Sequence, residues 1–238
     1  INKNQPLVLL DLGIALSLNN QLDEAIIFLD KSVELDPTNL KGFIRKAATL
    51  KKLNRFNESI DCYQKIIDIS PDYIDAYINK AELLSLSGKL EESLSTYRQI
   101  LKIDSCNPTS YIRYGNLLNK LGKVDEAISA YRKSIKIKPE NSGAYSNLGY
   151  IYQKLGNYEE EIKCLRKSVE INEDYEVCIN LATSYSKNKD YKLAIIFYDK
   201  AIKLDSTKTE ALRHKAYFYQ SIKETDKAIL LFTKALKI

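Results

Sequence analysis

The chain has 238 residues, 45% hydrophobic and 28% charged, a balance that excludes an intrinsically disordered polymer. Lys and Arg total 36 against 31 for Asp and Glu, and the resulting formal charge of +5 is spread along the chain without the dense basic block of a nucleic-acid-binding arm. Four cysteines lacking any Cys-x-x-Cys spacing, with His214 as the sole histidine, exclude a zinc-finger framework and a cysteine-histidine nucleophile pair.

The first apolar stretch, Leu7 to Leu18, is interrupted by Asp11 and Gly13 and predicts a helix, not a membrane span. Leu7, Leu10, Ile14 and Leu18 make its inner face apolar as well as its core face, so a partner or a preceding unit is expected to cover it. After Asn20 the segment Glu24 to Pro37, EAIIFLDKSVELDP, predicts a second helix with Ala25, Leu29 and Ser32 on one face. Nearly the same phrase, EAISAYRKSIKIKP, runs from Glu126 to Pro139, 102 residues later, which is three times 34.

Stepping by about 34 residues sets unit starts at Pro6, Leu40, Ile74, Pro108, Ser142, Tyr175 and Thr209, the fifth unit being one residue short. First-helix faces recur as Phe43, Ala47 and Leu50; then Tyr77, Ala81 and Leu84; then Tyr145, Leu148, Gly149 and Tyr152. Breaks are expected at Asn20, Asn54, Gly88, Gly122, Gly156 and Lys189, where Gly or Asn takes the left-handed conformation that ends a helix. Second helices follow, with Ala127, Tyr131 and Ser134, and later Ala194, Tyr198 and Ala201, as close-approach residues. Pro37, Pro71 and Pro139 stop them. Glu161 stands where alanine is expected, so the junction of the fifth and sixth units is the expected irregularity.

These small, glycine, aromatic and proline places, recurring in phase over nearly the entire chain, resemble the tetratricopeptide repeat family. The resemblance implies an all-α solenoid of seven antiparallel helix pairs in a right-handed superhelix, forming one domain over residues 1–238. First helices would line a concave groove. Because the chain begins at Ile1 and has no methionine, it is expected to be a segment of a longer polypeptide, with Ile1 to Gln5 as the tail of a preceding unit. Cytoplasmic location is the expectation.

On each first helix, the residue two places after the first core contact lies about 200° around the axis and faces that groove. Along this line stand Arg45, Asn79, Arg113, Asn147, Asn180 and His214, and one turn further Asn116 and Tyr150. A side-chain amide offers a donor and an acceptor together, as the main chain of an extended peptide requires, while the arginines favour acidic ligands. The plain alternative is a solvated helix face. The asparagine series resembles that in the repeat domain of O-linked N-acetylglucosamine transferase, interrupted here by Arg113.

The expected function is therefore a non-catalytic interaction scaffold holding an extended peptide or partner helix, with no cofactor and no metal. An alternative is a substrate-recruiting arm of a larger enzyme, such as a glycosyltransferase, whose catalytic domain lies outside this segment. Partners are expected to be proteins or peptides, acidic ones included, with self-association through the terminal repeats as a further expectation. Membrane insertion is not expected, and Asp11, Asp75, Glu82, Glu176 and Glu210 among the groove residues disfavour nucleic acid.

Overall fold

The computed structural model describes residues 5–238; the expectation for Ile1 to Gln5 lies outside the described residues except at Gln5 itself. Among the described residues there are 14 α-helices and no strand. Two compact units emerge, Ile1–Ser110 and Tyr111–Ile238.

The first unit contains α1 (Gln5–Leu18), α2 (Leu22–Leu35), α3 (Leu40–Lys52), α4 (Phe56–Ile69), α5 (Ile74–Leu86) and α6 (Leu90–Ile103). Consecutive helices pack as pairs, α1 on α2, α3 on α4 and α5 on α6, and α2 on α3 and α4 on α5 join the pairs. Each pair turns at an expected break: Asn20, Asn54 and Gly88 have φ of 62°, 59° and 80°. The next backbone N–H then returns to a carbonyl five residues earlier, Arg55 to Leu50 at 3.0 Å and Lys89 to Leu84 at 2.8 Å, which satisfies an orphan carbonyl at the helix end.

Close approach is written into the small residues. Ser59 Oγ donates to the Ala47 carbonyl at 2.8 Å and Ser93 Oγ to that of Ala81 at 2.7 Å, and all four residues are buried. Only a small side chain at these places lets one helix backbone come within a hydroxyl's reach of another. In α1, Leu10 is 1% exposed while Leu7 and Leu18 are 52% and 78% exposed.

The second unit takes in most of α7 (Pro108–Lys120), then α8 (Val124–Ile137), α9 (Ser142–Lys154), α10 (Tyr158–Ile171), α11 (Tyr175–Lys187), α12 (Tyr191–Leu204), α13 (Glu210–Ser221) and α14 (Thr225–Ala235). Here α9 packs on α10, α11 on α12 and α13 on α14, with α8 on α9, α10 on α11 and α12 on α13 between pairs. Gly122, Gly156 and Lys189 hold positive φ as expected, and Lys223 does so as well, at 65°. Lysine has no preference for that conformation, so the last break is set by the helices it joins and not by its own residue type. Between α10 and α11 only residues 172–174 remain as linker, against residues 138–141 between α8 and α9. Asp174 uses this short linker to cap α11, its Oδ1 accepting from Val177 N at 3.0 Å.

The cysteines are all free thiols, Cys62, Cys164 and Cys178 buried and Cys106 exposed. Burial pushes the three buried thiols up to about 11 and the phenols of Tyr63, Tyr97 and Tyr131 up to about 12. Two results are expected. A thiol reagent should modify Cys106 at once and the other three only after unfolding, and an intact mass should show four reduced thiols. Because the unfolded chain loses these six protons at lower pH than the folded one, stability is fully present below about pH 9 and should fall as pH rises towards about 12. Denaturant melts from pH 8 to 12 would check this; a flat profile would contradict it.

Candidate functional site

The expected groove residues differ in what they have left to offer a ligand. In the first unit, Arg45 on α3 is exposed, and Asn79 on α5 is half-buried with Nδ2 donating to the Asp75 carbonyl at 2.7 Å. That bond ties the Asn79 amide to its own helix and occupies one of its two N–H groups.

In the second unit, Arg113 on α7 is half-buried. Three turns of separate helices then meet through one carbonyl: Asn116 Oδ1 accepts from Tyr131 Oη at 2.7 Å and from Asn147 Nδ2 at 3.0 Å. Both lone pairs of Asn116 are thereby engaged, which orients its amide and links α7 to α9. Asn147 keeps one N–H and its carbonyl for a ligand. Tyr131 is itself 1% exposed, so the outer polar line is anchored directly to the core.

Asn147, Tyr150 and Asn180 converge on a single groove between α9 and α11, about 360 Å³ in volume. Ser146, Asp174 and Glu176 share its wall, and none of the lining residues is basic. Lys154 is the nearest cation on the same helix, its Nζ standing 4.5 Å from the centre of the exposed Tyr150 ring. At this place the surface is therefore acidic, and it differs from the preference for acidic ligands that Arg45 and Arg113 suggest. His214 on α13 does not line this groove; its Nε2 stands 3.8 Å from Glu210 Oε1, beyond hydrogen-bond length.

Under the groove lies Glu161 of α10, with no solvent exposure. Its Oε1 accepts from Gln153 Nε2 of α9 at 3.0 Å and from the hydroxyl of Ser184 on α11. Its Oε2 is buried without a hydrogen-bond partner. Sequence reasoning marked Glu161 as a departure from a small-residue place and Glu176 as an acid among the groove residues, but assigned neither to the site. Gln153 and Ser184 carried no signal at all, because a buried donor looks like any surface polar residue until the helices are packed. Among the described residues, no group of three or more His, Cys, Asp or Glu is placed to hold a metal ion. No described helix is long and apolar enough to cross a membrane.

Sequence models of the tetratricopeptide repeat match residues 8–39, 40–73 and 142–175, and related ones match 62–95, 115–156 and 175–208. A comparison with curated proteins finds no match. Among solved structures, a tetratricopeptide repeat protein from Parabacteroides merdae aligns over 98% of this chain and 93% of its own, at 16% identity and a TM-score of 0.71. YrrB, described as a tetratricopeptide repeat protein with an unusual peptide-binding site, aligns over 74% of this chain and 91% of its own, at 25% identity and a TM-score of 0.60. MamA aligns over 71% and 93%, at 22% identity and a TM-score of 0.63.

Proposed function

The chain belongs to the tetratricopeptide repeat family, and from that premise we propose that it is a non-catalytic scaffold holding an extended peptide segment of a protein partner against α9 and α11. The observation that carries this reading is the convergence of Asn147, Tyr150 and Asn180 on one groove. Two amides one repeat apart can each pair with a main-chain N–H and C=O, and the aromatic ring between them supplies apolar area at little entropic cost. The unusual peptide-binding site described for YrrB supports the same kind of ligand. Arg45, Asn79, Arg113, Asn116 and His214 are proposed as further contacts, each within its own unit, with Asn116 acting through its hold on Asn147.

Selection of peptides from a random displayed library, followed by titration of the retained sequences, tests this. Each of Asn147→Ala and Asn180→Ala should cost about 0.5–1.5 kcal/mol of binding, the net value of a hydrogen bond, and the double variant roughly the sum. Helical content should not change. Undiminished binding by the folded double variant would remove this groove as the peptide site.

A further inference from the structure

The groove has a lower level. Below Ser146, Tyr150, Val177 and Asn180, which it shares with the outer groove, a cavity of about 30 Å³ reaches Glu161 and Gln153. Glu161 is fully buried; Gln153 Nε2 donates to Oε1, the Ser184 hydroxyl shares its one proton between Oε1 and the Asn180 carbonyl at 2.8 Å, and Oε2 has no partner. A buried carboxylate oxygen without a donor is costly, and the place it occupies in the repeat otherwise holds alanine or serine: Ala25, Ser59, Ser93, Ala127, Ala194 and Ala228. A plain packing role therefore does not account for a glutamate here.

We propose that this cavity is a subsite for the primary ammonium of a lysine side chain in the bound peptide, with Glu161 Oε2 as its counter-charge. The inference rests on the groove reading above and adds the chemistry of one ligand position. Volume selects the group. About 30 Å³ is on the scale of a compact ammonium or a water, while a planar guanidinium with its five donors is too large. Because Glu161 has no surface open to a water-sized group, the ammonium reaches Oε2 only as lining side chains such as Tyr150 and Asn180 turn aside. Charge favours it as well: Asp174 and Glu176 on the outer wall and Glu161 below outnumber Lys154 at the rim. Tyr150, at the mouth of both levels, presents an aromatic face past which the methylene stem of lysine can run.

The test uses a positional peptide library in which one residue is fixed in turn as lysine, ornithine, Nε-acetyl-lysine, arginine, norleucine or glutamate within a random background. The wild-type chain should prefer lysine over each of the others by about 10-fold, the scale of a charge-assisted hydrogen bond. In Glu161→Gln that preference should vanish while norleucine peptides bind as before. A wild-type chain that retains peptides through Asn147 and Asn180 but shows no lysine preference, or a Glu161→Gln variant that keeps it, overturns the subsite and leaves the groove reading standing. The second of these outcomes would place the lysine's counter-charge on the outer wall, at Asp174 or Glu176. A wild-type chain that retains no peptide, or one whose binding is indifferent to the Asn147→Ala/Asn180→Ala pair, overturns both. If Glu161→Gln fails to fold, the wild-type comparison still overturns the subsite when lysine is not preferred over ornithine and acetyl-lysine.

Discussion

Tyr131→Ala should cost about 3–5 kcal/mol of stability, the scale of large aromatic deletions from a core. Tyr131 is 1% exposed, and its ring lies so close to α7 that a Cβ built on Gly115 would stand 2.7 Å from Cε1. The glycine and the ring are complementary: α7 can approach α8 to this distance because Gly115 has no side chain, and the tyrosine fills the space thus left. Removing the ring opens a cavity that neither backbone can close. It also frees the Asn116 carbonyl, so the polar link from Asn116 to Asn147 loses its anchor. Tyr131→Phe separates the two effects, since it keeps the ring and removes only the 2.7 Å bond, at about 0.5–1.5 kcal/mol. Thermal melts followed by circular dichroism should show the alanine variant lower by roughly 10 °C for a chain of this length, and the phenylalanine variant by a few degrees. Equal melting of wild-type and alanine chains would show that Tyr131 does not close the core between these helices.

Ala194→Glu should be about as damaging, at about 3–5 kcal/mol, although the same residue is accommodated one unit earlier as Glu161. Ala194 has no exposure and packs in a cluster with Leu181, Ala182, Tyr198 and Phe218. The difference lies in the partners. Glu161 meets the Ser184 hydroxyl from the following first helix, whereas the place one repeat length further, in α13, is the buried Phe218. A carboxylate at 194 would be both oversized and unpaired. Ala194→Ser should be nearly neutral, because Ser59 and Ser93 fill this place in the first unit and donate to a neighbouring helix carbonyl. Urea unfolding of the two variants checks the contrast. A glutamate variant as stable as the serine one would mean that this packing place tolerates charge generally, and the special partners of Glu161 would lose their meaning.

The sequence alone determined the paired helices, their breaks and their close-approach places. These follow from local chemistry repeated in phase: Asn or Gly where the chain must turn left-handed, Ala, Ser or Gly where backbones meet, and an aromatic residue opposite. Even the shortened junction before Tyr175 was legible as a missing residue. Tertiary structure decided how the polar residues are used. Asn79 and Asn147 belong to one series in the sequence, yet Asn79 spends a donor on its own helix while Asn147 spends one on Asn116. Arg45 and Arg113 suggested acidic ligands, but the groove that gathers Asn147, Tyr150 and Asn180 is walled by Asp174 and Glu176. Glu161 reads as an error in the repeat until Gln153, 8 residues before it, and Ser184, 23 residues after it, are brought to the same oxygen. The physical reason is range. Periodicity records which face of a helix is buried, and that is a property of a few neighbouring residues. Which donor meets which acceptor depends on angstrom-scale distances between helices far apart in the chain, and those exist only once the pairs have packed.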